Sequence, residues 1–225
     1  MKKYQLEIAC FNIESAFIAQ ASGADRVELC ANMKEGGTTP DFKTVEVAKE
    51  QLSIKLNVMI RPRGGDFVYS DDEFKQMEAE IIALKKLQVD GFVFGILDKD
   101  GKVNKAQNTA LVNLAAPHPC TFHRAFDVVK DINESLEAII ECGFATILSS
   151  GQEKNVVEGI QVLTELVIKA NNRIVIMPGG GVRSSNVGLL NKNTNAFFYH
   201  SSAIVNLSET ADGVEINAIQ NNLKL

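Results

Sequence analysis

Two hydrophobic periods alternate along this chain. Short apolar runs with strand character are each followed by a segment whose apolar positions recur at helical spacing. The pattern predicts eight strands, at Tyr4 to Ala9, Arg26 to Leu29, Lys55 to Ile60, Gly91 to Leu97, Cys120 to His123, Ala145 to Ser149, Arg173 to Met177 and Ala196 to Tyr199. Helices are expected between them at Ile13 to Ser22, Phe42 to Gln51, Ser70 to Leu87, after the Asp98-Lys99-Asp100-Gly101 turn, and at Asn133 to Cys142, Val156 to Ala170 and Ser185 to Asn191. A last helix is expected at Gly213 to Leu223. Gly23 and Gly143 stand where helix C-caps belong, and Ser70-Asp71-Asp72-Glu73 has N-capping chemistry.

A repeated βα unit gives a parallel sheet. Runs such as Phe92-Val93-Phe94 and Ile174-Val175-Ile176 suit strands covered by helices. Eight evenly spaced units favour a closed (β/α)8 TIM-type barrel over an open doubly wound sheet. The Rossmann fingerprint is poor: Gly179-x-Gly181-x-x-Ser184 lacks its third glycine and follows the seventh strand. No linker, low-complexity segment or shift in composition divides the chain, so residues 1–225 are expected to form a single α/β domain.

Composition changes this picture little. Hydrophobic residues make up 45% and charged residues 23%, as in ordinary globular proteins. A net charge of -5 argues against general affinity for nucleic acid or anionic membrane, and no apolar run has the length of a membrane span. Met1-Lys2-Lys3 leads into an alternating segment rather than a secretory leader. Cys10, Cys30, Cys120 and Cys142 form no C-x-x-C pair and read as reduced cytoplasmic thiols.

In such a barrel the functional face lies at the C-terminal ends of the strands. The polar residues expected there are Glu28, Arg61, Arg63, His123, Arg124, Asp127, Ser149, Ser150, Arg183, His200, Ser201 and Ser202. Pro178-Gly179-Gly180-Gly181 leads into a helix. Backbone N–H groups at Gly180 and Gly181, a helix N-terminus and Arg183 would together suit phosphate or another anion, with Ser201 and Ser202 as further donors. In Arg61-Pro62-Arg63-Gly64-Gly65-Asp66 the arginines offer planar forks for an oxyanion, while Asp66 equally suits an ion pair that orders the loop. His123 is the general acid–base candidate by its ordinary pKa. Glu28 is a second acid or base, or the partner of a buried ion pair. No lysine ends a strand, which argues against Schiff-base chemistry. Neither a metal-binding His-x-His nor a G-x-S-x-G elbow is present.

Assembled, these segments resemble the copper homeostasis protein CutC family. The resemblance is carried by Gly23-Ala24-Asp25-Arg26-Val27-Glu28-Leu29-Cys30, Glu35-Gly36-Gly37-Thr38-Thr39-Pro40, and Ile60-Arg61-Pro62-Arg63-Gly64-Gly65-Asp66-Phe67 with Tyr69-Ser70. It continues through Thr121-Phe122-His123-Arg124-Ala125-Phe126-Asp127, Leu148-Ser149-Ser150-Gly151-Gln152, Gly179-Gly180-Gly181-Val182-Arg183 and His200-Ser201-Ser202. It spans nearly the whole chain. It implies a TIM-type barrel, a cytoplasmic location, a frequent homodimer and a role in copper tolerance or trafficking. The stretch between Ser202 and the last helix is short for such a protein.

Cu(I) prefers thiolate and thioether ligands, and Cys10 and Cys30 end neighbouring strands. Strand alternation puts Cys30 on the face of Glu28 but Cys10 on the face opposite Glu7, so a closed two-thiolate site is not expected. Three readings follow: a copper-binding homeostasis protein, an enzyme acting on a small anionic or phosphorylated metabolite, and an interaction scaffold.

Overall fold

The computed structural model describes residues 4–205 and 208–224. Eight strands, all parallel, follow the order β7-β6-β5-β4-β3-β2-β1-β8. They are β1 (Gln5–Cys10), β2 (Arg26–Leu29), β3 (Lys55–Met59), β4 (Gly91–Phe94), β5 (Cys120–Phe122), β6 (Thr146–Ser149), β7 (Val175–Pro178) and β8 (Phe198–Ser201). The helices that alternate with them are α1 (Ile13–Ala21), α2 (Phe42–Gln51), α3 (Asp71–Lys85), α4 (Lys105–Ala115), α5 (Ile132–Glu141), α6 (Ile160–Ala170), α7 (Ser184–Thr194) and α8 (Gly213–Leu223). β7 lies beside β8 and nearly closes the ring. At that seam a Cβ on Gly179 would stand 3.1 Å from the Cβ of His200 and 2.3 Å from Leu148, so only glycine lets the strands approach.

The period-2 alternation divides each strand between two environments. Outward residues such as Leu6, Ile8, Cys10, Val27, Leu29, Val58, Phe92, Phe94, Phe122 and Ile147 pack with Val45, Met77, Leu111, Leu163 and Ile219 of the helices. That layer between strands and helices is the main apolar core. The barrel interior is different. Two small apolar patches, Cys30 with Met59 and Val93 and Leu148 with Met177 and Phe198, share the interior with polar residues. Glu7, Arg26, Glu28, Asn57, Thr121, His123, Thr146 and His200 are all buried.

The caps form as the sequence predicts. Gly23 and Gly143 take positive φ, and Ser70 with Glu73 makes a reciprocal capping box at α3. Several boundaries shift by a few residues, β7, β8 and α7 among them, and three of the shifts have a local cause. β4 stops at Phe94 because Asn108 of α4 clasps the backbone of Ile96 from both sides. β5 stops at Phe122, and His123 becomes the cap of a short 3-10 turn over residues 124–128. α6 begins at Ile160 rather than Val156 because the Val156 N–H donates to Gly180, while Asn155 caps Val157 and Glu158. The stretch between Ser202 and the last helix, expected to be short, includes residues 206 and 207, which lie outside the described residues. No helix among the described residues is long and apolar enough to cross a membrane.

Candidate functional site at the barrel mouth

A cavity of about 430 Å³ opens at the C-terminal ends of the strands. Glu28, Arg61, His123, Arg124, Gly180, Gly181, Arg183, His200, Ser201 and Ser202 all line it, beside Phe11, Cys30, Met59, Phe67 and Asp127. β2 brings Glu28 and Cys30 to the wall because they lie two residues apart, and the same spacing brings Met59 and Arg61 inward from β3.

Four residues named by the sequence, Ser149, Ser150, Arg63 and Cys10, do not reach the cavity lining. Ser149 shares its strand face with Ile147, and its hydroxyl donates to Asp127 at 2.6 Å. Arg63 turns away to pair with Glu73 at 2.6 Å and Asp66 at 3.0 Å, so of its two expected roles the loop-ordering one is what the geometry shows. Cys10 belongs to the outer core layer, where its thiol donates to the Ile8 carbonyl, while Cys30 lines the cavity. The two sulfurs therefore occupy different layers of the barrel, and no Cys10–Cys30 copper pair is preformed.

Beneath the mouth lies a charge chain the sequence did not reveal. Arg26 donates to Glu7, and its guanidinium sits 4.2 Å from the centroid of Phe198. Glu7 also holds Nδ1 of His200 at 2.7 Å, and Nε2 of His200 lies 3.8 Å from Glu28 Oε2. Burial opposes ionisation of Glu7, but Arg26 and His200 outweigh it and hold the carboxyl at about 2. Burial dominates at Glu28, and its carboxyl is pushed up to about 7, against the opposing pull of His200. His200 is raised because Glu28 and Glu7 overcome the penalty of burial. The Glu28 Oε1 atom is buried with no hydrogen-bond partner. Glu7, Glu28 and His200 stand close enough together to share a cation, although Arg26 and a raised His200 already answer the carboxylates.

His123 differs from the expected proton shuttle. Its ring packs 4.9 Å from Phe67 and against Gly95, where a Cβ would lie 2.8 Å from Nδ1. Nδ1 accepts from the Ala125 N–H, so the tautomer that satisfies this contact carries its proton on Nε2. Burial, reinforced by the Arg61 charge, pulls the imidazole down to about 3. Near neutral pH His123 is therefore a neutral donor, and Nε2 has no partner in the protein. Glu28 is the group whose proton is poised near neutrality.

The glycine loop also differs from expectation. Gly180 and Gly181 take positive φ and line the mouth, as a tight turn requires. The α7 N-terminus, however, is already filled: Ser184 donates to Glu215 through its N–H and its hydroxyl, and the Arg183 N–H donates to Asn186. Ser201 is likewise engaged, donating to the Val182 carbonyl and accepting from Ala203 and Arg183. The expected donors at the α7 N-terminus and Ser201 are therefore committed to partners within the fold.

The CutC family model matches residues 4–205. The human copper homeostasis protein cutC homolog is 42% identical over 200 residues, which cover 89% of this chain and 73% of that protein. A CutC family protein of Parabacteroides distasonis is 46% identical over 199 residues, or 88% of this chain and 82% of its own. The crystal structure of CutC from Streptococcus agalactiae superposes with a TM-score of 0.85 at 34% identity, covering 88% of this chain and 98% of that one.

Proposed function

The chain belongs to the CutC family, and from that premise we propose that it serves copper homeostasis in the cytoplasm, with Cu(I) as cargo taken up at the barrel mouth. The observation that carries this reading is the sulfur corner of the cavity, where Cys30 and Met59 pack together and both line the wall. A thiolate and a thioether are the donors Cu(I) prefers.

The Cys30 thiol is protonated before metal arrives, because burial and then Glu28 push its pKa well up. Its proton has a destination, since Cys30 Sγ donates to Glu28 Oε2 at 3.5 Å. As Cu(I) bonds to the sulfur, the S–H proton passes to the carboxylate. Copper replaces one proton on sulfur, Glu28 gains it, and no redox change is required. His200, its pKa raised by Glu28 and Glu7 against the penalty of burial, bridges the two carboxylates and positions Glu28.

Competition against a chromophoric Cu(I) chelator tests the reading. One Cu(I) per chain is expected in the wild type, with loss of tight binding in Cys30→Ser and retention in Cys10→Ser. Equal affinity in Cys30→Ser, or an equal loss in Cys10→Ser, would overturn the assignment to the sulfur corner.

A further inference from the structure

The chain has six arginines, and four of them, Arg26, Arg63, Arg124 and Arg173, are paired with carboxylates. Among the described residues the other two, Arg61 and Arg183, have no carboxylate within ion-pair distance, and both line the barrel mouth. Arg61 is only 4% exposed. Its terminal nitrogens donate to the carbonyls of Glu35, Gly37 and Gly65, which fix the guanidinium without neutralising it. Arg183 is held in the same way by the Val182 and Ile204 carbonyls and the Ser201 hydroxyl. Burying a charge without a counter-charge is unfavourable, and a cavity that does so at Arg61 and sets a second unpaired guanidinium, the half-buried Arg183, on its wall is complementary to an anion that enters from outside.

A second observation points the same way. His123 is 4% exposed, lines the same cavity and has no partner for Nε2. Its contact with Ala125 turns Nδ1 to the backbone and leaves Nε2 as the donor. Phe67 lies against both groups, 4.9 Å from the His123 ring and 4.9 Å below the Arg61 guanidinium, and keeps that wall apolar between its polar atoms. Of the acids lining the cavity, Glu28 faces Cys30 and His200, and Glu35 accepts the Gly64 N–H. Asp127 accepts from Arg124, Ser149 and Ser150, and Glu7 is bridged by Arg26 and His200.

We propose that Arg61, His123 and Arg183 form a recognition site for a small organic oxyanion, either a carboxylate or a phosphate ester, distinct from the Cys30–Met59 corner. The arginines supply charge-assisted hydrogen bonds, and the His123 Nε2–H donates to an oxygen of the ligand as a neutral group. Phe67 gives the bound molecule an apolar floor. The site requires neither copper nor the α7 N-terminus.

Inorganic phosphate and oxalate serve as probes, one for each class of oxyanion, titrated calorimetrically at constant ionic strength with chloride as control. Saturable binding of at least one probe is expected in the wild type. Arg61→Lys and His123→Phe should each weaken it about tenfold, the size of one hydrogen bond to a charged group. Arg61 also ties three loop carbonyls, so His123→Phe and Arg183→Gln carry the test if Arg61→Lys does not fold. Arg63→Ala, which alters an arginine outside the cavity, should bind as the wild type does, and so should Cys30→Ser. Absence of saturable binding by both probes would overturn the proposal, as would equal weakening by Arg63→Ala and His123→Phe. Loss of anion binding in Cys30→Ser would overturn the separation from the copper corner.

Discussion

The Glu215 carboxylate of α8 accepts the Ser184 backbone N–H at 2.7 Å and the Ser184 hydroxyl at 2.8 Å. One helix thus places an internal anion on the N-terminus of its neighbour, where the glycine loop alone would suggest a ligand. The macrodipole of α7 is satisfied within the fold, and the last helix is fastened to the barrel by the same contact.

Glu215→Ala should therefore destabilise the protein by about 1–2 kcal/mol, through loss of the cap and the exposed helix dipole. Glu215→Gln retains an acceptor and should lose less. Urea denaturation measures both. An alanine variant as stable as the wild type would show that water replaces the carboxylate without loss.

Glu7→Gln should be far more damaging. It removes the carboxylate that faces both Arg26 and His200, each of which is buried. Breaking one side of a buried ion pair destabilises by about 3–5 kcal/mol. Adding Arg26→Met should restore part of that loss, because the orphaned charge is then gone. If Glu7→Gln unfolds at the same urea concentration as the wild type, the chain does not hold the barrel together.

Stability between pH 4.5 and 6.5 should be governed by two opposed groups. Burial holds His123 at about 3 in the folded chain, well below its ordinary 6.5, so the unfolded chain takes up a proton as pH falls and folding loses stability. Burial lifts Glu28 from 4.5 to about 7, so the folded chain keeps a proton that the unfolded chain releases, and stability is lost as pH rises. Each slope is on the order of 1 kcal/mol per pH unit, and together they nearly cancel. Glu28→Gln should uncover a loss of stability on acidification, and His123→Phe a gain. Parallel pH profiles for wild type and both variants would refute the assignment.

Gly95→Ala should disturb His123 specifically. The added Cβ would sit 2.8 Å from Nδ1 and 3.1 Å from the Phe122 ring, inside a close-packed wall. A loss of about 1–3 kcal/mol is expected, as for other overpacked sites. The ring nitrogen shifts of His123, read by NMR, should move as Nδ1 leaves the Ala125 N–H. Unchanged shifts would mean that the backbone at Gly95 yields instead.

Much of the architecture is legible in the chain because local rules dictate it. The alternation of strand and helix periods identifies all eight βα units, and Gly23, Gly143 and Ser70 punctuate them where the backbone requires. Period-2 geometry also separates Cys10 from Cys30, since a residue three positions from Glu7 cannot share its face while one two positions from Glu28 must. The same rule, applied to Ser149, would have removed it from the mouth; position at a strand end alone does not.

What the chain by itself determined is therefore the barrel, the end that carries its chemistry and most of the residues lining that end. Only the tertiary structure decided what those residues are. His123 is neutral because burial and Arg61 surround it, Arg63 is spent on Glu73, and Glu28 is raised by burial against the pull of His200, two strands away beyond β1. Glu215 fills a helix terminus from 31 positions away. Protonation and charge pairing depend on desolvation and on neighbours brought together by barrel closure, and a linear pattern encodes neither.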